Sequence, residues 1–527
     1  MKTLGQYLAE ALQAAGVRDV FGIPGVHNLE LYRGLEATSL RHVTGRHEQG
    51  LGFMADGYAR VSGRPGVCFT ISGPGLSNIT TALGQAYGDS IPLLVISSQN
   101  RRGEAGSGRG FLHELPDQCA LARAVTAAAF TIRDAAELPA ALAQAFAIFS
   151  AARPRPVYIE IPLDVLAADA TGLSLPVLSG AAPAADASGL VAAARLLRGA
   201  QGAVVLAGGG AIRAAPELRR LIEHLGAPLV MTTNARGMLP PAHPLAVAMS
   251  PSLGPVRALI AAADIVLAVG TEIGPTDYDM YSVSDFPSPA NLIRIDIEAG
   301  QLTRNATPRV GLCGEAAQTL RLLLQHDLGP PRAAAGVAAA AAARQQCMAG
   351  LAPVMQSHIG LLDLIRDALP TAVLVGDSTQ LVYAGNLAFA AASPGSWFNS
   401  ATGYGTLGYA LPASTGAGLA APQRPIVCLV GDGGLQFSLG ELAVLRDVDA
   451  WTAIIVWNNR GYGEIRSSMI ALGIRPEGVD VLPPDFALLA AAYGYAHRLI
   501  ETPAALDAAL RDFGRRRQIV VLEIAAD

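Results

Sequence analysis

The sequence predicts an α/β protein built from three doubly wound parallel-sheet domains, and three observations carry that expectation. Short apolar runs alternate with helix-like stretches along the whole chain: Gly66–Ile71, Pro92–Ser97, Val157–Ile161, Ala203–Leu206, Ile265–Val269, Ala372–Val375, Ile426–Val430 and Ala453–Trp457. Continuous apolar runs are what strands need when helices cover both faces of a parallel sheet. Two segments, Ala167–Ser188 and Gly329–Ala343, are rich in Ala, Pro and Gly and poor in large apolar residues, and read as linkers. The Ala-rich part of the second could instead be a helix, although it lacks a stripe of large apolar residues to pack. Finally, 527 residues exceed what one hydrophobic core organises. The domains are expected at 1–165, 185–330 and 350–527, with the chemistry on their loops.

Composition narrows the function. Hydrophobic residues make up 51% and charged residues 15%, which suits a well-buried globular protein. The net charge is -5 and no Lys/Arg block alternates with aromatics, so no nucleic-acid partner is expected. No 18-residue span is uninterruptedly apolar, and the first residues run into a helical pattern without a long apolar signal region, so no membrane partner and a cytoplasmic location are expected. The cysteines form no CxxC pair and lie mostly in apolar runs, which suggests reduced core residues rather than a zinc site or a disulfide framework.

Two strand ends carry glycine-rich or polar loops. Gly431-Asp432-Gly433-Gly434 follows the run Ile426–Val430, and Asn458-Asn459-Arg460-Gly461-Tyr462-Gly463 follows Ala453–Trp457. Strand ends of a parallel sheet share one edge, where glycines let backbone amides approach a phosphate. Asp432 offers a carboxylate oxygen and Asn459 an amide oxygen, a donor set suited to Mg²⁺. Each motif alone is an ordinary turn. Together, with Asp432 and Asn459 27 positions apart, they resemble the thiamine diphosphate fingerprint. That resemblance implies Asp432, Asn459 and the Gly461 carbonyl as metal ligands, with Gly433, Gly434 and Tyr462 at the cofactor. It also makes Ser378, Thr379 and Gln380, in Asp377-Ser378-Thr379-Gln380, a second diphosphate loop. In Gly403-Tyr404-Gly405-Thr406-Leu407-Gly408, it sets the Gly405 carbonyl on the aminopyrimidine and Leu407 as the wedge under the bent cofactor. The three domains then become pyrimidine-binding, middle and diphosphate-binding.

Arg46-His47-Glu48-Gln49-Gly50 follows a strand and opens a helix, so Glu48 on its own reads as first-turn charge. Within the family it resembles the glutamate that bonds the pyrimidine nitrogen. Such a carboxyl must share a proton, so burial is expected to raise its pKa. Phe21-Gly22-Ile23-Pro24-Gly25-Val26-His27-Asn28 and Ser72-Gly73-Pro74-Gly75-Leu76-Ser77-Asn78 resemble the pyrimidine-domain loops of acetolactate synthase-like enzymes, which implicates Gly25 and Asn78 in cofactor binding. The resemblance also implies a homodimer or homotetramer with the active site at a subunit interface.

For the reaction, His27 stands where the benzaldehyde lyase branch places a histidine, and His113 stands in place of a glutamine of acetolactate synthase. Both are candidates for proton relay, and a loop histidine capping a helix is the plainer reading of His27. The middle domain lacks the Gly-Met-His-Gly run expected beside a flavin, so FAD is not expected. An acidic loop, Gly270 to Asp279, offers Asp277 and Asp279 to a cationic substrate tail, or is simply solvated surface. With the loops around Gly25 and Tyr32, it is similar to the 5-guanidino-2-oxopentanoate decarboxylases. The function expected is decarboxylation of a small-molecule 2-oxo acid through a cofactor-bound enamine. The alternatives are an acetolactate synthase-like or benzaldehyde lyase-like carboligase and a non-catalytic cofactor-binding subunit.

Overall fold

The computed structural model describes residues 1–526 except 179, 281–285, 288 and 333. Ser179 and Ala333 of the two expected linkers therefore lie outside the described residues. Three six-stranded sheets carry the fold, and every described strand pair is parallel.

The first sheet contains β1 (Asp19–Gly22), β2 (Arg41–Thr44), β3 (Gly66–Thr70), β4 (Leu93–Gln99), β5 (Ala128–Thr131) and β6 (Val157–Pro162), ordered β2-β1-β3-β4-β6-β5. The second contains β7 (Ala203–Ala207), β8 (Leu229–Met231), β9 (Ala246–Val247), β10 (Ile265–Val269), β11 (Leu292–Asp296) and β12 (Val310–Cys313), ordered β12-β11-β10-β7-β8-β9. The third contains β13 (Val373–Gly376), β14 (Trp397–Asn399), β15 (Ile426–Gly431), β16 (Thr452–Asn458), β17 (Ala496–Ile500) and β18 (Ile519–Ala525). The central strands β3, β4, β6, β7 and β10 are buried at every residue, which is why their sequences are mostly apolar rather than alternating.

The chain divides into two compact units, Met1–Ala181 with Gly403–Leu499 and Arg516–Asp527, and Ala182–Thr402 with Ile500–Arg515. Small residues explain why the first and last segments share a unit. The helix Ala410–Ala420 lies against the helix Glu48–Ser62 so closely that a Cβ on Gly57 would stand 2.0 Å from the Ala413 carbonyl oxygen. Chain order alone does not reveal such a contact.

Of the two readings of the second expected linker, the structure shows the helical one for its Ala-rich part. Val337–Gly350 is a helix that buries Ala340, Ala343 and Cys347. These small residues, spaced three and four apart, form the packing stripe that large side chains would otherwise supply. No disulfide joins any of the five cysteines, and four of them are buried. No helix among the described residues is long and apolar enough to cross a membrane.

In the first sheet the chain leaves β1 for β2 on one side and returns to β3 on the other. A crevice for ligands is expected where the strand order reverses, beyond the ends of β1 and β3. The loops there are Ile23–Asn28 and Ile71–Gly73, which carry His27 and Ser72.

Candidate active site

β15 runs directly into Asp432, and its last residue Gly431 pairs with Trp457 of β16, so Asp432 and Asn459 leave the same sheet edge. One terminal atom of the Asn459 carboxamide lies 2.7 Å from the Gly461 carbonyl oxygen and 3.1 Å from Asp432 Oδ1. If the nitrogen is turned inward it donates to both. If the oxygen is turned inward, three oxygens converge, an arrangement that a hard cation satisfies. Asp432 is buried, and its other oxygen, Oδ2, has no hydrogen-bond partner. Burial pushes the Asp432 carboxyl above its ordinary range, against the backbone N–H groups of Asn459, Gly461 and Gly433, which favour the anion. A buried carboxylate oxygen left unmatched beside a carboxamide and a carbonyl fits an oxygen-ligated ion such as Mg²⁺. Among the described residues no group of three His, Cys, Asp or Glu could hold a metal, so this mixed set is the candidate. Gly461 is required here: its φ is +145°, and a Cβ would stand 2.2 Å from the Val479 carbonyl oxygen. Tyr462 packs over Gly433, and Gly434 is buried.

In the same unit, Gly405 has a φ of +76° and Leu407 is half-buried. The loop between them is fixed by Gln85 Oε1, which accepts from Thr406 N at 3.2 Å and from Thr406 Oγ1 at 3.0 Å. The other expected diphosphate loop belongs to the second unit. There Thr379 precedes the helix Gln380–Ala388, and Ser378 N donates to Asp377 Oδ1 at 2.9 Å.

Glu48 is the first residue of its helix and is half-buried. Its Oε2 accepts from Asn78 Nδ2 at 2.9 Å, which joins two residues expected at the cofactor for separate reasons. A third participant was missed by sequence reasoning. Glu441, 1% exposed, accepts the backbone N–H of His47 at 2.9 Å and of Arg46 at 3.1 Å, both on Oε1. Gly50 makes room for it, since a Cβ there would stand 2.3 Å from Glu441 Oε1. Burial, with the Glu48 charge adding to it, pushes the Glu441 carboxyl up to about 7 despite the two N–H donors. The only sequence signal was an acid in the Gly440-Glu441-Leu442 run, which reads as surface.

His27 and His113 come together, with ring centroids 4.9 Å apart at 66°, and His27 Nδ1 is 2.6 Å from the hydroxyl of buried Ser72. His113 holds a φ of +61°, an unusual backbone for a non-glycine residue, and its buried Nδ1 has no hydrogen-bond partner. Glu114 shapes this loop by accepting from Gly108 N at 2.7 Å, Gly110 N at 2.9 Å and Phe111 N at 3.0 Å. The Ile71–Gly73 loop is held by Gln118 Oε1, which accepts from Gly73 N at 2.8 Å, and by Ser98 Oγ, which accepts from Ser72 N at 3.0 Å. Asn28 fixes the facing loop by accepting from Gly25 N at 2.8 Å. Burial and the nearby His113 lower the His27 pKa, and Glu104 opposes them.

Asp277 and Asp279 lie in the second unit and are already engaged there. Asp279 pairs with Arg257 at 3.4 Å. Asp277 accepts from Thr233 N at 3.5 Å and acts electrostatically on buried Arg236. A substrate cation reaching Asp279 would compete with Arg257.

Comparison with known proteins places these loops in context. The thiamine pyrophosphate enzyme family matches the chain in three parts: its N-terminal TPP binding domain over residues 2–121, its central domain over 190–323 and its C-terminal TPP binding domain over 375–524. A probable 2-ketoarginine decarboxylase of Pseudomonas aeruginosa is 47% identical over 97% of this chain and 91% of its own length. The large subunit of acetolactate synthase isozyme 1 of Escherichia coli is 33% identical over 88% of this chain and 82% of its own. The thiamine diphosphate-dependent 4-hydroxybenzoylformate decarboxylase of Rhodococcus jostii superposes with a TM-score of 0.83 at 24% identity, covering 100% of this chain and 99% of that one, a likeness of fold.

Proposed function

Because the chain belongs to the thiamine pyrophosphate enzyme family, we propose that it decarboxylates 5-guanidino-2-oxopentanoate (2-ketoarginine), using thiamine diphosphate and Mg²⁺. The observation that carries the reading is the meeting of Glu48 with Asn78, and of His27 with His113 and Ser72, in a chain 47% identical to a probable 2-ketoarginine decarboxylase. We further infer a homodimer or homotetramer in the cytoplasm and no role for FAD. We likewise propose domain bounds of 1–165, 185–330 and 350–527.

When bound, the cofactor supplies a nucleophilic carbon and an electron sink for the bond to the departing CO₂. Asp432, Asn459 and the Gly461 carbonyl would hold the metal, and Gly433 and Gly434 would admit the diphosphate. Glu48 would hold the proton exchanged with the bound cofactor, and Asn78 fixes the orientation of its carboxyl. His27 and His113 share the task of holding a proton near the reacting carbonyl. Burial and the nearby His113 both favour the neutral form of the His27 imidazole, which suits it to accept a proton. A carboligase reading is supported by the acetolactate synthase relative and differs only in the final acceptor, an aldehyde or 2-oxo acid in place of a proton.

The test is kcat/KM for CO₂ release from 5-guanidino-2-oxopentanoate against pyruvate, benzoylformate and an uncharged 2-oxo acid of matching length. The reading expects the guanidino acid to lead by at least about tenfold, the effect of one charge-assisted contact. Equal or better turnover of the uncharged acid refutes the substrate and leaves the family chemistry intact.

Glu441 acts on Glu48 through the backbone it holds, as a positioning residue. Glu441→Gln keeps an oxygen for both N–H groups and should retain turnover. Glu441→Ala leaves two donors unmatched, at a cost of about 2 to 4 kcal/mol in stability, and should lower kcat with little change in KM. The carboxyl's rise from 4.5 to about 7 means the fold keeps a proton the unfolded chain has lost. Its stability contribution is therefore full below pH 4.5 and is lost as pH rises through about 7. Urea melts across that range should show this loss in the wild type and not in Glu441→Gln. Equal pH dependence in both proteins would contradict the assignment.

A further inference from the structure

The edge of the first unit opposite the candidate active site holds a cavity of about 800 Å³. Arg18, Arg41, Arg64, Arg424 and Arg517 line it, against only two carboxylates, Asp19 and Asp449. The lining residues cluster at strand starts: Asp19 begins β1, Arg41 begins β2, and Arg424 and Arg517 each stand two residues before β15 and β18. The candidate catalytic residues follow strand ends instead, and the seven residues of β16 put about 20 Å between the two edges.

The charges in this cavity do not cancel. Asp19, buried, is already bonded by Arg41 and by the Tyr58 hydroxyl. Asp449 lies 3.8 Å from Arg517. Neither Arg18 nor Arg64 has a carboxylate partner among the described residues. Arg424 is half-buried, and burial works against its charge. Five guanidinium groups facing two carboxylates leave a formal excess of three positive charges in a chain whose net charge is -5. Such a concentration repels itself unless an anion of several charges spans it, and guanidinium forks match phosphate oxygens two at a time. A volume of this size accommodates a nucleotide.

We propose that this cavity is a binding site for a small phosphate-bearing polyanion, distinct from the candidate active site and independent of the substrate assigned to it. The phosphate chain bridges Arg18 and Arg64, with Arg424 beneath it.

The test is calorimetric titration of the holoenzyme, kept saturated with thiamine diphosphate and free Mg²⁺, with inorganic triphosphate in one arm and ADP in the other. Saturable binding is expected, weakened at least about tenfold in Arg18→Ala/Arg64→Ala, with 2-oxo acid turnover unchanged. A control pair of exposed arginines elsewhere, Arg219→Ala/Arg511→Ala, should bind as the wild type does. Tighter binding of ADP marks a nucleotide as the source of the phosphates, and equal binding marks a free oligophosphate. Absence of binding in both arms, or binding that survives Arg18→Ala/Arg64→Ala, overturns the proposal.

Discussion

Glu48→Gln is expected to lower kcat for CO₂ release by about 10²- to 10⁴-fold, the range associated with loss of a positioned proton-transfer group. The substitution keeps the side chain's shape, and its carbonyl oxygen can still accept from Asn78 Nδ2, so the helix start should not shift. Cofactor and Mg²⁺ affinity should change by only a few-fold. A loss confined to kcat places Glu48 in proton transfer, whereas equal loss of binding and folding would make it a structural first-turn charge.

Asp432→Asn is expected to separate stability from function. Burial disfavours the Asp432 anion in the fold, so the group's stability contribution is present at low pH and is lost as pH rises through its raised pKa. Asparagine removes that cost, and the variant without metal should melt at or above the wild-type temperature at pH 8. Cofactor binding should suffer in the opposite sense. With the carboxylate gone, a neutral carboxamide in its place beside Asn459 and the Gly461 carbonyl gives Mg²⁺ no charge to balance. Mg²⁺-dependent affinity for thiamine diphosphate should fall at least about 10²-fold, comparable to loss of a charge-assisted metal contact. Tryptophan fluorescence titrations read the affinity, and thermal melts read the stability. A variant that binds Mg²⁺ and cofactor normally would remove Asp432 from the metal site.

What could be read from the chain divides along physical lines. Strands buried on both faces declare themselves as unbroken apolar runs, and loops that must bring backbone to a phosphate declare themselves as glycine clusters, so β15 with Asp432 and β16 with Asn459 were legible. Residues defined by their partner were not. Glu441 sits 395 positions from Arg46, and nothing local distinguishes a buried acceptor of two backbone N–H groups from a surface acid. The pairing of Asp279 with Arg257 weakens the expectation that this acid waits for a substrate cation, because a loop's charges can be counted from sequence while their counterions cannot. Likewise, the helix Val337–Gly350 stood only as one of two readings because its packing stripe is mostly alanine, which marks helix propensity and burial without separating them. The strained backbone of His113 has no sequence signature beyond the glycines that precede it, Gly106, Gly108 and Gly110.

The most direct test of the decarboxylase account is product analysis after a single turnover of the reconstituted wild-type protein with 5-guanidino-2-oxopentanoate. The account predicts one CO₂ and one 4-guanidinobutanal per active site, resolved by mass spectrometry. A carbon–carbon ligated product in place of the aldehyde, or no CO₂ from a protein that has bound its cofactor, would contradict it.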